Sequence, residues 1–348
     1  MKKDLLLINL VVPILAILAA LVLGAILLLF INVNPLEAYS VLLFGNLTSL
    51  YGISEILVKA VPIIMTGLAF TFAYRTGLFN IGAEGQMYVG AIAAVVVGLK
   101  LGHLSPFLAI PLSLLAALIA GGIWGGIPGL LKAVFGSSEI IITIMLNYVA
   151  VYLLSYLVDK PLREKSGFYP QTDMIGENAF LPVLIPNTRL HLGFLIALLF
   201  VVLVYIILWR TKLGFELRAV GLNLHAAEYA GIDVRTKMFL ALALSGALAG
   251  VAGFTEVGGI HHRLLDNFSK GVGFDGIAVA LLGQATPFGV VLASLLFGLL
   301  QVGANSMQRS VGVPANIVYI IQGLIILFLL GGTILARRYQ KKKAKGVA

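Results

Sequence analysis

Apolar runs long enough to cross a membrane recur along almost the whole chain, separated by short polar or glycine-rich interruptions. A spanning helix needs about 20 apolar residues, fewer where it is broken or packed inside a bundle. Spans are therefore predicted near 8–31, 53–73, 82–100, 106–131, 139–158, 192–209, 237–257, 272–284, 286–305 and 315–336. The eighth is the weakest. GFDGIAVALLGQATPFG is short and is closed by Gln284 and Pro287, so it reads equally as a half-helix. The run PLEAYSVLLFGNLTSLYG, over 35–52, reads as an amphipathic helix at the interface outside the membrane. The expected fold is all-α: a polytopic membrane protein of about ten transmembrane helices in a single domain over 1–348.

Charge supplies the orientation. The tail 337–348 holds six basic residues and no acid, and Lys2 and Lys3 stand at the start. Positive residues collect on the cytoplasmic side, so both ends are expected there, which requires an even number of spans. The loop 210–237, basic through Arg210, Lys212, Arg218, Arg235 and Lys237, falls inside after six spans. The loop 159–190, with four basic and four acidic residues, falls outside. Only 11% of the residues are charged and the mean hydropathy is +1.03. Soluble domains carry about 25% charged residues, so composition agrees with the pattern. The net charge of +9 then records loop orientation, and no soluble segment is large enough to hold a nucleic-acid module. With no cysteine, a disulfide framework, a cysteine-ligated metal and a thiol nucleophile are all excluded. The first apolar run is too long for the h-region of a signal peptide and lacks a convincing cleavage site, so a retained span is expected. Five spans on each side of the outer loop suggest an inverted repeat with broken helices, its glycine-interrupted segments at 77–90 and 271–285.

One stretch departs from the oily background: YRTGLFNIGAEGQMYVGA, over 74–91. Glu84 is the only acidic residue between Glu55 and Glu139. Each glycine weakens helix by roughly 1 kcal/mol relative to alanine. At membrane depth irregular backbone is tolerated only where it is buried in protein or lines a wet cavity, and an intramembrane carboxylate usually faces the bundle interior with a partner. Asn80, Glu84 and Gln86 could line a solute path. Alternatively, Glu84 and Arg75 pair structurally at a membrane edge, or the glycines only let helices approach.

Other candidates carry similar pairs of readings. Glu139 and Asn147 lie slightly over two turns apart and share a helix face, suited either to pore lining or to an interhelical hydrogen bond. His261 and His262, with Asp266, lack the H-E-x-x-H spacing of a metal site and fit an outer mouth or a solvated turn. Gly121, Gly122, Gly125, Gly126 and Gly129 read as helix packing. In the 210–237 loop, a short helix over 224–230 closed by Gly231 would offer the small residues Ala226, Ala227 and Ala230 to a partner protein; an ordinary loop is the plainer alternative. No G-x-x-x-x-G-K-[ST] occurs, so any phosphate chemistry lies on another polypeptide.

The stretch RTGLFNIGAEGQMYVGA closely resembles the signature of permease subunits of ATP-binding-cassette importers, in the branch for nucleosides, ribose-like sugars and branched-chain amino acids. The resemblance continues through SSEIIITIMLNYVAVYLLSYLV, RAVGLNLHAAEYAGI and HHRLLDNFSKGVGFDGIAVALLGQATPFGVVLASLLFGLLQVGA to the VPANIVYIIQGLIILFLL end, and is nearest the nucleoside-type members. It implies a cell-membrane permease of a bacterial or archaeal inner membrane, moving a neutral solute and not itself an enzyme, with no cofactor and no metal. It implies a separate ATPase subunit, a second related permease or a homodimer, an external solute-binding lipoprotein, and no nucleic acid. The resemblance places the 74–91 segment in the core of the translocation domain and His261 near its outer mouth, so the candidates for the solute pathway are Asn80, Glu84, Gln86 and His261, with Glu139 and Asn147 from their shared helix face. HAAEYAG resembles the coupling helix that docks on the ATPase, which assigns Arg218, His225, Ala226, Ala227, Glu228 and Gly231 to coupling. His225 stands where many such permeases have glutamate, so a salt bridge from that position is in doubt. The alternatives are a permease for ribose-like sugars and an ion-coupled transporter with Glu84 as its cation site. An intramembrane enzyme would need a catalytic pair at membrane depth, and the histidines all lie in or near predicted loops.

Overall fold

A computed structural model describes residues 2–165, 168–269 and 271–345, with side chains described over 11–332 except 13 and 330. The basic side chains of the tail 337–348, and residues 166 and 167 of the loop 159–190, lie outside the described set. Among the described residues the structure is helical, with three isolated β-bridges and no strand. Thirteen α-helices follow in chain order: α1 Lys2–Phe30, α2 Pro35–Phe44, α3 Leu50–Arg75, α4 Ala83–Leu101, α5 Pro106–Phe135, α6 Glu139–Asp159, α7 Gly193–Arg210, α8 Lys212–Leu222, α9 Leu224–Tyr229, α10 Val234–Glu256, α11 Val272–Leu282, α12 Pro287–Val311 and α13 Asn316–Lys345.

Every predicted span has its helix. Seven of them (α3 to α7, α10 with its π-helical extension Val257–His261, and α12) are long and apolar enough to cross a membrane among the described residues. The remaining three predicted spans correspond to shorter apolar helices, Ile14–Phe30, Val272–Leu282 and Asn316–Leu329. Within 35–52 the chain forms α2, started by Asn34, whose side chain accepts from the Leu36 amide at 3.0 Å. The chain is a polytopic all-helical membrane protein.

It packs as two compact units. One comprises Met1–Ile56 with Leu296–Ala348. There α1 lies along α13, and the Tyr39 hydroxyl donates to the Leu21 carbonyl at 2.6 Å. The other, Leu57–Leu295, holds every candidate site residue. Its framework is α4, α5 and α10, and small residues bring their backbones together. A methyl added at Gly121 or Gly125 would collide with the carbonyl oxygens of Gly246 and Leu242 on α10, and one at Gly90 would meet Gly250. With no hydrophobic driving force between helices in lipid, such close van der Waals approach is what associates them.

The outward faces of the same helices are apolar. Ile119 and Ile123 on α5, and Tyr152 and Tyr156 on α6, are exposed, as a lipid-facing surface requires.

Neighbouring glycines on α5 test this packing directly. A methyl at Gly121 would run into the Gly246 carbonyl and come within 2.9 Å of the Gly250 Cα, whereas one at Gly122 would make ordinary contacts of 3.4 Å and 3.5 Å with Ala243 and Ala247. Gly121→Ala is expected to destabilise by about 1–3 kcal/mol through overpacking. Gly122→Ala is expected to be neutral or slightly stabilising through helix propensity. Thermal unfolding of the two variants in detergent measures the difference; equal melting temperatures would contradict the seam.

Candidate functional site: a polar junction between broken helices

The glycine-rich stretch leaves regular helix between α3 and α4. Residues 76–82 are non-helical, Gly77 takes φ +79, and α4 resumes at Ala83. A break at this depth must satisfy its own backbone. Asn80 does much of that. Its Oδ1 accepts from the Gly82 amide at 2.9 Å and from Gln86 Nε2 at 3.1 Å. Its Nδ2 donates to Gln86 Oε1 at 2.8 Å and to Ser245 Oγ on α10 at 2.7 Å. The Ser245 hydroxyl in turn donates to the Ala69 carbonyl on α3 at 2.5 Å.

Asn147 on α6 closes the other side. Its Nδ2 donates to the Ile81 carbonyl at 2.9 Å, and its Oδ1 accepts from the Gly85 amide at 2.8 Å. Glu139 shares the buried stripe Glu139, Thr143, Asn147, Ala150 and is ion-paired to Lys132 at the end of α5, at 3.0 Å. Of the two readings left open for Asn147, the structure displays the interhelical hydrogen bond. Asn80, Gln86 and Asn147 direct their polar atoms at one another and at backbone in this conformation.

Glu84 has a different partner. Its carboxylate reaches the start of α11, where Oε2 accepts from the Gly273 amide at 2.6 Å and Oε1 from the Gly271 amide at 3.3 Å. The first amides of a helix have no intrahelical acceptor, and a negative charge there is favoured by the helix dipole. Gly273 lacks a Cβ where one would collide with the Glu84 amide nitrogen, so the two helix starts touch. Tyr88 adds a hydroxyl hydrogen bond to the Ser269 carbonyl at 2.8 Å, and Thr66 one to the Val272 carbonyl at 3.1 Å.

At the opposite end of α11, Arg75 donates through Nε to the Ala285 carbonyl at 2.8 Å and through Nη2 to the Gln284 carbonyl at 3.0 Å. The edge pair anticipated between Glu84 and Arg75 is therefore replaced by two separate caps on one short helix. Its 11 residues measure about 16 Å, roughly half the hydrocarbon core, which makes it a half-helix.

His261 lies in the π-helical turn Val257–His261 after α10, with Nε2 3.3 Å from the Glu256 carboxylate. His262 takes φ +55 and stacks on Phe180 at 3.9 Å. Sequence reasoning missed His191, which is buried beside this turn. Its ring occupies the space a side chain at Gly259 would fill, and its Nδ1 accepts from the Gly193 amide at 3.1 Å. Burial pushes its imidazole down to about 4, so it is neutral at ordinary pH. Nothing in the local sequence announces that contact.

The 210–237 loop folds as α8 and α9. Thr211 and Asn223 cap them through the Gly214 and Ala226 amides, each at 3.1 Å. Gly231, at φ +80, ends α9, with its amide donating to the Glu228 carbonyl at 2.9 Å. His225, Ala226 and Glu228 are exposed, as are Tyr229 and Leu222. Ala227 is not. It is buried against Val220 and Val234, so the small-residue face expected outward is turned partly inward. Arg218 is half-buried, its guanidinium 5.9 Å from the Trp209 ring. Glu216 bonds Lys237 at 2.6 Å, and that hydrogen bond holds its carboxyl below the usual range.

Substitutions at the junction separate its two kinds of contact. Glu84→Gln keeps one acceptor for Gly273 and should remain folded, whereas Glu84→Ala strands the amide and should lose about 1.5–3 kcal/mol, the range for a hydrogen bond to a charged group. Asn80→Leu should be worse, at about 1–3 kcal/mol for each polar partner left unpaired. Thermal unfolding of the purified variants checks the order.

Residues 52–330 match the family described as branched-chain amino acid transport system / permease component. The chain is 42% identical over 344 residues, covering 97% of it and 98% of the relative, to the guanosine ABC transporter permease protein NupP of Bacillus subtilis. It is 41% identical to the glucose ABC transporter permease protein TsgB13 of Haloferax volcanii, covering 91% and 86% of the two chains. With the nucleoside ABC transporter permease protein NupB of Lactococcus lactis the identity is 37%, over 96% and 94%. No solved structure matches it. With the family matched from the start of α3 into α13, and relatives alike over nearly their full length, this chain belongs to the family of transport-system permease components.

Proposed function

We propose that the chain is the permease subunit of an ATP-binding-cassette importer that moves nucleosides across the cell membrane. The observation that carries this reading is the 42% identity over nearly the full length to a guanosine permease. The fold supports it. The short helix α9, capped by Asn223 and stopped by Gly231, sets His225, Ala226, Glu228 and Tyr229 outward in a compact knob suited to docking on an ATPase. Hydrolysis would take place on that separate subunit. A second related permease, or a second copy of this chain, and an external solute-binding lipoprotein complete the proposed assembly.

The route for solute is proposed to pass the break at 76–82. Asn80 and Gln86, closed on each other in this conformation, would face the route when α11 shifts, with Glu139 and Asn147 beside the break and His261 at the outer mouth. A neutral solute with rings and hydroxyls suits such a lining, since amide side chains hydrogen-bond it without burying ion pairs. A sugar is the second reading, favoured by the 41% identity to a glucose permease.

Cells producing the whole transporter should accumulate labelled guanosine, with excess unlabelled nucleoside competing and glucose not. Competition by glucose alone would move the assignment to sugars, and uptake undiminished without the ATPase would favour the ion-coupled alternative. The proposed orientation has its own test, because the chain contains no cysteine. A membrane-impermeant thiol reagent should label Pro170→Cys in intact cells and His225→Cys only after permeabilisation; labelling of position 225 from outside would reverse the topology.

A further inference from the structure

The turn that ends α11 is strained. Gln284 and Ala285 are consecutive non-glycine residues at φ +55 and +48, in the left-handed region. Side chains other than glycine rarely adopt it, and such residues persist only where their surroundings hold them. The turn's own amides bond back to α11, from Gln284 to the Leu281 carbonyl at 3.1 Å and from Ala285 to the Ala280 carbonyl at 2.7 Å, and the Arg75 guanidinium adds the tie from outside, taking the Gln284 and Ala285 carbonyls at 3.0 Å and 2.8 Å. The same guanidinium lies 5.3 Å from the centroid of the Trp209 ring, and the Arg218 guanidinium, on α8, lies 5.9 Å from it. Trp209 stacks on Tyr205, which packs at 5.4 Å on Phe288, just after the strained turn.

Backbone contact accompanies these side chains. Gly221, next to last in α8, has no room for a Cβ because the Arg75 carbonyl occupies that place, and a Cβ at Gly77 would come within 3.2 Å of the Gly221 Cα. The end of α8 thus rests on the Arg75–Gly77 turn itself. An element that moves α8 cannot leave Arg75 where it is.

We propose that Arg75 is the positioning residue through which the α8–α9 loop sets α11. Displacement of α8 shifts Arg75 and withdraws its hydrogen bonds from the Gln284 and Ala285 carbonyls, and the strained turn relaxes. Because α11 is fixed to the break in α3–α4 by Glu84 at its other end, its movement is transmitted to the polar junction. Two discrete arrangements of this turn, one with Arg75 bound and one without, are the bistable element that coupling between distant sites requires. The proposal rests on the importer reading and adds to it which residue links the two regions.

The test uses the whole transporter in proteoliposomes, with guanosine and glucose as probes, and reads transport and ATP hydrolysis separately. Arg75→Gln is expected to leave complex yield and basal hydrolysis near wild type while lowering uptake per ATP hydrolysed about tenfold, the scale set by losing charge-assisted hydrogen bonds. Arg75→Lys, retaining one donor and the charge, should recover part of the coupling. Trp209→Leu, which leaves the Arg75 hydrogen bonds but removes the ring between the two arginines, should lower uptake per ATP by a smaller factor. Transport and hydrolysis falling in equal proportion, or no change in either, would overturn the positioning role. If the wild-type transporter takes up neither probe with ATP, the importer reading fails, and this proposal with it.

Discussion

A short helix inside a membrane has unsatisfied amides at one end and unsatisfied carbonyls at the other, and no water to meet them. Helix α11 is such a helix, and the solution is electrostatic. The Glu84 carboxylate accepts from its leading amides, and the Arg75 guanidinium donates to the carbonyls beyond its last turn. Each charge lies at the dipole end that favours it. Both come from one stretch, nine residues apart in sequence, and the distance between them is opened by the break at 76–82. The glycines of that stretch make the break, the asparagines satisfy it, and the two charges reach from it to a helix some two hundred residues later.

Much of this was legible in the sequence. Hydrophobic length placed a helix at each of the ten predicted apolar runs, within a few residues at most boundaries, because long apolar runs are a strong and repetitive signal; seven of those helices are long enough to span. Glycines at 77 and 82 marked the interruption before α4 for a simple backbone reason, whereas Gly85 and Gly90, expected to extend it, lie inside α4. The eighth span, left open between a full span and a half-helix, is the short α11. The short helix of the 210–237 loop, which forms as α9, was visible in HAAEYAG, closed by its terminal glycine. Its facing was not, because six residues are too few for periodicity to say which side of α9 is covered, and Ala227 turned out to pack inward.

The specific partners were the least legible part. That Glu84 needed a partner follows from the cost of an intramembrane carboxylate, but the partner proved to be the backbone amides of Gly271 and Gly273, which carry no sequence signal. Arg75 likewise bonds carbonyls, to which any residue contributes. His191 packs on Gly259 across 68 positions of chain, and its burial depends wholly on tertiary approach. Contacts made to backbone are invisible to residue patterns, whereas those between side chains of matched chemistry, such as Asn80 with Gln86, leave a trace.

The glycine seam between α5 and α10 restricts how this protein can move. Its close contacts recur at Gly121, Gly125 and Gly129, one every four residues, with Gly122 and Gly126 beside them facing Ala243, Ala247 and Phe239. Turning α5 far enough to bring Ile123, Trp124 or Ile127 to the seam would set those side chains against the α10 backbone, so the arrangement limits how far the two helices can turn on each other. Larger displacements that begin elsewhere in this unit are then left to segments without such close backbone contact.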